Sequence, residues 1–291
     1  MKSIGIAILT LNAEKHLPRL LAHLPHRVLI VDSMSTDNTQ KEALKRGLEL
    51  LLIPRSEFNH GTTREKARRH LNTDIVVFLT QDAYLADKGS LDALLRPLLE
   101  EKAAMSYARQ IPRPEAGMFE AFSREFNYPA EGHIRSLEDV KTFGVYTFFA
   151  SNSCAAYRNE ALDAIGGFSH VLIGEDTLAC LKLLHQGYKV AYAAEAQVEH
   201  SHNYGLIQEF KRHFDTGLSR QNFAPLLPSD IHRGRQFAKT LLAKVLKTAP
   251  WFLPYAALHL FAKWLGYHIG RNSQKAPKWL KRILSSQPYL S

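Results

Sequence analysis

Short apolar runs alternate with longer amphipathic segments along the first 85 residues of the chain. The apolar runs predict β-strands over residues 4–11, 27–33, 48–54 and 75–80. The segments between them predict helices over residues 13–24, 36–47 and 62–71. Strands that alternate with helices at this spacing indicate βαβ units and a parallel sheet. The chain is therefore predicted to begin with an α/β domain.

The pattern is less regular in the middle of the chain and changes again near residue 204. Strands are predicted over residues 105–112, 148–159 and 188–193, and helices over residues 118–129, 161–168 and 174–187. From Tyr204 onward the sequence is mostly helical in character and basic, with several prolines as breaks. A helical C-terminal extension is therefore expected after the α/β domain.

The strand predicted at residues 75–80 has no polar alternation, which is typical of a strand buried on both faces. Asp82 follows it directly, and an unpaired buried carboxylate is costly. We therefore expect Asp82 to lie at the carboxyl end of the strand. In open α/β sheets this is the edge at which ligands bind.

Two further aspartates, Asp32 and Asp176, also follow apolar runs. Each of the three could be a cap or turn residue, but together they predict one ligand site at the carboxyl edge of the sheet. Gly174, Glu175 and Asp176 open a predicted helix, where acids either complement the helix dipole or present a general base. The residues alone leave these two roles open.

Glycine-rich phosphate-binding motifs are absent from the first βα turn, which contains neither GxGxxG nor GxxxxGK[ST]. Phosphates would then need another positive partner. A divalent cation held by one or two carboxylates is the common solution. Asp82 is the candidate ligand for such a cation.

Charge is unevenly distributed along the chain, whose net charge is +9. Residues 205–291 contain 14 of the 37 basic residues but only 3 of the 28 acidic ones. This excess predicts a polyanionic partner, either nucleic acid or anionic lipid. Trp251, Trp264 and Tyr267 lie among these basic residues, which favours a membrane interface, and no nucleic-acid reading module is present. A helical core or an oligomer contact is the alternative role for these aromatic residues.

Seven short motifs occur in a fixed order within residues 3–204. They are TLN (10–12), VDSMSTDNT (31–39), FNHGTTR (58–64), FLTQDA (78–83), GGF (166–168), GEDT (174–177) and HSHNY (200–204). In this order they resemble the inverting glycosyltransferases of family 2, which have a GT-A fold. FNHGTTR, TQDA and HSHNY are most similar to the bacterial rhamnosyltransferases that use dTDP-L-rhamnose to build O-antigen or capsule chains.

The resemblance implies which residues bind the nucleotide-sugar. Base, ribose and phosphate contacts are implied for Thr10, Asn12, Asp32, His60, Gly61, Arg64 and Gln81. Asp37 belongs to the same motif as Asp32 and is also suited to cap the following helix.

The resemblance also implies a metal site and a catalytic base. Thr80, Gln81 and Asp82 stand in the place of the family's DxD motif, with Asp82 as the metal ligand and Thr80 in place of the first aspartate. Asp176 matches the catalytic base. His200 or His202 matches a histidine that reaches the metal or the diphosphate in some relatives.

The expected architecture is a GT-A domain over residues 1–204, a mixed, mainly parallel sheet flanked by helices, followed by a basic helical region over residues 205–291. The implied cofactor is Mg²⁺ or Mn²⁺, the donor dTDP-L-rhamnose and the acceptor a lipid-linked saccharide. The expected location is the cytoplasmic face of the inner membrane, with a homo-oligomer as a further possibility. A UDP- or GDP-sugar donor, or a non-catalytic protein that binds nucleotide-sugars, are the alternatives.

Overall fold

A mixed β-sheet forms the centre of the protein in the computed structural model, which describes residues 2–25, 27–227 and 232–287. The strands are β1 (Ile4–Thr10), β2 (Arg27–Asp32), β3 (Glu49–Leu52), β4 (Ile75–Thr80), β5 (Tyr84–Leu85), β6 (Met105–Ile111), β7 (His133–Arg135), β8 (Cys154–Arg158) and β9 (Val190–Glu199). The helices are α1 (Leu17–Leu20), α2 (Thr39–Lys45), α3 (His60–Leu71), α4 (Gly89–Leu99), α5 (Met118–Asn127), α6 (Val140–Phe143), α7 (Asn159–Ala164), α8 (Glu175–His185), α9 (Leu206–Arg220), α10 (His232–Thr248), α11 (Leu253–Asn272) and α12 (Lys278–Leu284).

The strand order in the described part of the chain is β3-β2-β1-β4-β8-β6-β9-β5, with β7 paired to β9. Strands β3, β2, β1 and β4 are parallel to one another. Strand β8 runs antiparallel between β4 and β6, and β6 is parallel to β9. The predicted mixed α/β sheet flanked by helices is confirmed.

Strand β4 is buried on both faces, as its sequence predicts. Val76 and Phe78 pack on one face of the sheet, in the core that also contains residues of α3, α7 and α8. Val77 and Leu79 point to the other face, where α1, α2 and α4 supply the core. The chain leaves this core at Thr80, so the polar residues that follow emerge at the edge of the sheet.

The prediction of a helix over residues 13–24 is wrong, because only Leu17–Leu20 is helical. The N–H of Ala22 donates to the carbonyl of Arg19, an i to i+3 bond that turns the chain instead of extending the helix. The apolar periodicity is nevertheless real, since Ala13 is buried together with the two leucines that bound the helix.

The prediction of a strand over residues 148–159 is correct only for its second half, because only Cys154–Arg158 belongs to the sheet. Residues Gly144–Phe148 form a 3₁₀ turn instead. The side chain of Asn152 turns away to donate a hydrogen bond to Glu175 at 3.0 Å. This tertiary contact overrides the local preference for an extended strand.

Helix α4 lies in a stretch for which no element is predicted above. Leu91, Leu94, Leu95 and Leu98 are spaced as one helical face and are buried against the sheet. Its amphipathic pattern was therefore a usable signal.

The C-terminal helices pack against α5. Phe122 of α5 shares a small buried core with Leu241 and Val245 of α10 and Ala256 of α11. Within the described ranges, no helix combines the length and the apolar character needed to cross a lipid bilayer.

Helices α9 and α11 approach each other at backbone distance because glycines line the contact. A β-carbon at Gly266 would overlap the carbonyl of Phe210, and one at Gly270 would overlap the carbonyl of Phe214. Any larger residue at these two positions must therefore push the two helices apart.

We expect Gly270→Ala to lower the free energy of unfolding by about 1–3 kcal/mol, the usual cost of overpacking. Urea unfolding followed by circular dichroism measures this change. Gly234→Ala in α10 is the matched control, because a β-carbon there meets no atom and alanine favours helix more than glycine does. The control should be as stable as the wild type or more stable, and a Gly270→Ala protein of unchanged stability would contradict the close packing.

Candidate functional site

The carboxyl ends of β1, β2 and β4 lie side by side because these strands are parallel and in register. Thr10 at the end of β1 pairs with Asp32 at the end of β2, and Leu9 pairs with Thr80 at the end of β4. Asp82 lies two residues beyond β4 at the same edge. The sheet therefore brings Thr10, Asp32 and Asp82 to the edge at which open α/β sheets bind ligands.

The buried carboxylate of Asp32 organises the loop that follows β2. Its Oδ2 accepts hydrogen bonds from the hydroxyls of Thr10, at 3.0 Å, and of Ser35. Its Oδ1 accepts from the Ser35 N–H at 2.9 Å and from the Gln40 amide at 2.7 Å. Because both oxygens are bonded within the protein, Asp32 acts here by fixing the shape of the loop.

Asn12 and Gln81 hold the neighbouring loops together. Asn12 has a left-handed backbone with φ of 54°, and its Oδ1 accepts from the Thr36 N–H at 2.9 Å. The Gln81 amide accepts from the Leu11 N–H at 2.7 Å and donates to the Leu11 carbonyl at 3.1 Å. The loops after β1, β2 and β4 thus form one continuous rim.

Asp82, His200 and His202 form a cluster of potential metal ligands at this rim. The Nε2 atom of His200 lies 3.5 Å from Asp82 Oδ1, and that of His202 lies 3.3 Å from Asp82 Oδ2. The ligand atoms of all three residues lie within 4.8 Å of one another. Burial raises the pKa of the Asp82 carboxyl, but the two histidines outweigh burial and hold it below its usual range.

Two residues outside the cluster orient its members. The Nδ1 atom of His200 lies 3.0 Å from the Gln110 side-chain oxygen, which leaves Nε2 as the atom that faces Asp82. The Arg113 guanidinium donates to the Asp82 carbonyl, and the Arg113 N–H donates to the Ser201 hydroxyl at 3.2 Å. The two loops that carry the cluster are therefore tied to each other.

The donor set of the cluster fits a divalent transition-metal ion. One carboxylate and two imidazoles suit a divalent transition-metal ion, because such ions accept imidazole nitrogen as well as carboxylate oxygen. Mg²⁺ prefers oxygen ligands and is the weaker match. The resemblance implies Asp82 and either His200 or His202 as ligands, and the structure places both histidines beside Asp82.

Asp176 lies in the first turn of α8, after Gly174 with its left-handed φ of 80°. Its Oδ1 accepts from the Thr177 N–H at 2.7 Å, and its Oδ2 accepts from the Asn152 N–H at 3.1 Å. Burial and the neighbouring Glu175 carboxylate raise the pKa of Asp176 to about 6 in spite of these bonds. A carboxylate that titrates there can act as a general base near neutral pH.

Glu175 points into the protein and forms an ion pair with Arg64. Their side chains are 6% and 3% exposed, and Arg64 Nη1 lies 3.0 Å from Glu175 Oε1. Burial raises the pKa of Glu175, but Arg64, His60 and Asn152 lower it overall, so the carboxylate stays charged. Arg64 is thus engaged within the protein, paired with Glu175 rather than free at the rim.

His60 and Gly61 start α3 next to this ion pair. Asn59 caps the helix, because its side chain accepts from the N–H groups of Gly61 and Thr62. A β-carbon on Gly61 would overlap the Ser169 carbonyl, so the close contact at this helix start requires glycine. Burial lowers the pKa of His60, which favours the neutral imidazole.

One short segment, Ser151–Ser153, connects the Asp82 cluster to Asp176. Gln110, the partner of His200, donates to the Ser151 hydroxyl at 2.8 Å. The N–H of the next residue donates to Asp176. A chain of hydrogen bonds through this segment therefore links the Asp82 cluster to Asp176.

Sequence reasoning finds the aspartates of this site but misses Gln110, Arg113 and Asn152. Gln110 and His200 are 90 residues apart, and Asn152 reaches Glu175 across 23 residues. Partners so far apart leave no local pattern in a single sequence. 

Comparisons with known proteins agree with this geometry. Residues 5–166 match the family model described as glycosyl transferase family 2. The O-antigen chain rhamnosyltransferase WbaN of Salmonella anatum is 41% identical over 259 residues, which cover 87% of this chain and 82% of the relative. The O-antigen chain rhamnosyltransferase RfbN of Salmonella typhimurium is 36% identical over 287 residues, which cover 94% and 91%.

A solved structure supports the fold independently. The mannosyltransferase PcManGT of Pyrobaculum calidifontis, in complex with GDP-Man and Mn²⁺, matches with a TM-score of 0.57 and 20% identity, over 99% of this chain and 85% of that one. The expected GT-A fold is confirmed. Together with the family match, this means that the chain is a glycosyltransferase and belongs to glycosyl transferase family 2.

Proposed function

We propose that this enzyme transfers L-rhamnose from dTDP-L-rhamnose to a lipid-linked O-antigen chain, with inversion at the anomeric carbon. The observation that carries the proposal is the joint position of two groups. A metal-ligand cluster at Asp82 and a carboxylate of raised pKa at Asp176 are linked by hydrogen bonds through the segment Ser151–Ser153. They do so in a chain 41% identical to an O-antigen chain rhamnosyltransferase.

The rim at the sheet edge is the donor site in this proposal. The loops held by Thr10, Asn12 and Asp32 receive the base and ribose, and the diphosphate lies beside Gln81 and Asp82. Asp82, His200 and His202 would hold Mn²⁺ or Mg²⁺, which would supply positive charge to stabilise the departing nucleoside diphosphate. His60 and Gly61 begin the helix that borders the same site, where Arg64 holds Glu175 in place.

Asp176 is the general base of the proposed reaction. It accepts the proton of an acceptor hydroxyl, whose oxygen forms a bond to the anomeric carbon from the face opposite the diphosphate. The bond between the anomeric carbon and the diphosphate oxygen breaks, and dTDP leaves with the electron pair. A single displacement of this kind inverts the configuration without a covalent enzyme intermediate.

A GDP- or UDP-sugar is the second candidate donor. The specific observation in its favour is the likeness to PcManGT, which was solved with GDP-Man. That likeness is at 20% identity, whereas the rhamnosyltransferase relatives reach 41% and 36%. The rhamnose donor is therefore preferred.

Donor turnover tests this proposal. With a lipid-linked acceptor, we expect the enzyme to consume dTDP-L-rhamnose and to leave UDP-glucose and GDP-mannose unreacted. Release of the nucleoside diphosphate measures this turnover. Asp176→Asn should lower kcat by at least about 10²-fold with donor KM nearly unchanged, because it removes only the proton acceptor. Asp92→Asn, an exposed substitution of the same kind on α4, is the control and should keep full activity.

The pH profile gives the same experiment a second readout. Asp176 must be ionised to accept a proton, so kcat/KM of the wild type should fall below about pH 6. Burial and the Glu175 carboxylate raise this pKa, whereas hydrogen bonds from the Asn152 and Thr177 N–H groups and the charge of Arg64 lower it. Turnover of GDP-mannose alone would overturn the rhamnose donor, and full activity of Asp176→Asn would remove Asp176 from its role.

Metal binding provides a test that needs no turnover. We expect isothermal titration calorimetry to detect Mn²⁺ binding that Asp82→Ala abolishes and that Gln110→Ala weakens by about 10–100-fold, since Gln110 orients His200. Gln236→Ala, at an exposed position of α10, is the matched control and should bind Mn²⁺ like the wild type. Unchanged affinity in Asp82→Ala would exclude this cluster as the metal site.

A membrane-facing role of the C-terminal helices is part of the proposal. Leu258, Phe261 and Trp264 are about half exposed and form one stripe along α11, next to Trp251, which is 73% exposed. The surrounding region is strongly basic. Exposed aromatic residues among basic ones suit an anionic bilayer, where a lipid-linked acceptor would be found.

Vesicle flotation tests the membrane role. We expect the wild type to float with vesicles that contain phosphatidylglycerol and much less with pure phosphatidylcholine. Phe261→Ser/Trp264→Ser should lower the floated fraction severalfold, because it removes the apolar part of the contact. Leu44→Ser/Leu99→Ser, which changes exposed leucines on α2 and α4, is the control. Unchanged flotation of the aromatic variant would contradict bilayer docking by this face. A wild type that is dimeric and an aromatic variant that is monomeric in light scattering would contradict it as well.

A further inference from the structure

A ladder of stacked side chains leads from the metal-ligand cluster to α9. The ring of His202 stacks on that of Tyr204, with 5.2 Å between centroids and 13° between planes. Arg212 lies in the second turn of α9. Its guanidinium group lies over the Tyr204 ring, 5.9 Å from the ring centroid. Arg212 is thus held at a short distance from Asp82, the partner of His202.

The charge of Arg212 is not neutralised within the described residues. Arg64 pairs with Glu175 at 3.0 Å, and Arg124 pairs with Glu120 at 2.6 Å. For Arg212, no carboxylate lies within ion-pair distance in the part of the chain that the structure describes, and its side chain is exposed. An exposed cation that stacks on an aromatic ring is oriented yet free to bind an anion.

Arg212 also faces the start of α3. Burial lowers the pKa of His60, Glu175 opposes that shift, and the positive charges of Arg64 and Arg212 add to it. The guanidinium therefore lies near enough to act on His60 as well as on the ring stack beside His202.

Charge balance explains what a cation would do there. A divalent ion held by one carboxylate and two neutral imidazoles contributes a net charge of about +1 to the site. The diphosphate of a nucleotide-sugar carries about two negative charges, and the departing nucleoside diphosphate carries more. A further cation would balance the remaining negative charge, and the planar guanidinium group binds two phosphate oxygens at once.

We infer that Arg212 binds the diphosphate of the donor and stabilises the nucleoside diphosphate as it leaves. This inference rests on the proposed function, since it assumes a nucleoside-diphosphate donor at the Asp82 cluster. It adds a residue of the C-terminal helices to the donor site.

Calorimetric titration of dTDP and dTMP, each with saturating Mn²⁺, tests the inference without turnover. The wild type should prefer dTDP. Arg212→Ala should weaken dTDP binding by about tenfold or more and dTMP binding less, so that the preference shrinks, because the lost bond is charge-assisted. Arg212→Lys should restore part of the preference, since lysine keeps the positive charge but cannot bind two phosphate oxygens with one planar group. Arg235→Ala, which removes an exposed arginine of α10, should bind both nucleotides like the wild type.

The outcomes separate this inference from the proposed function. If the wild type binds none of dTDP, UDP and GDP with Mn²⁺, the proposed function fails and the role of Arg212 fails with it. If the wild type binds dTDP and both Arg212→Ala and Arg212→Gln keep the full dTDP preference, only the inference is overturned. Thermal unfolding without ligand should give the same midpoint for the wild type and at least one of these two neutral variants, so a binding loss reports on the site.

Discussion

The buried ion pair between Arg64 and Glu175 is the interaction on which the proposed site depends. It joins the second turn of α3 to the first turn of α8, at a depth where breaking the pair would leave a buried, unpaired charge. The same Glu175 carboxylate accepts a hydrogen bond from Asn152, whose N–H bonds Asp176. Its negative charge also raises the pKa of Asp176. One buried pair therefore contributes to both the position and the basicity of Asp176, the proposed general base.

Internal hydrogen bonds hold the loops of the rim, so the proposed donor site can have its shape before a ligand binds. Asp32 and Gln81 satisfy their hydrogen-bonding groups within the protein, and Gly61 permits a helix start to touch the Ser169 carbonyl. Such residues contribute by fixing the shape of the rim, which lowers the ordering cost of binding. Residues matched by family motifs thus include members of the scaffold as well as groups suited to contact the nucleotide.

The sequence predicts the parallel strands and the edge aspartates well, because both are local signals. Strand β4 is uniformly apolar and ends just before Asp82, so its burial and the exit of the carboxylate follow from the pattern alone. The segment before β8 could not be predicted, since Asn152 leaves the extended path to reach Glu175. His202, by contrast, lies within a motif, and only its distance to Asp82 distinguishes it as a ligand.

The glycine contacts between α9 and α11 have a consequence for the product of the enzyme. Helix α9 begins shortly after the loop that carries His202, and it is fixed to α11 by backbone contacts at Gly266 and Gly270. The aromatic stripe of α11 is thus connected by close helix packing to the chain that carries the proposed metal-ligand cluster. With that stripe resting on a bilayer, the reaction would take place at a constant height above the lipid. The enzyme would then select acceptor sugars by their distance from the membrane.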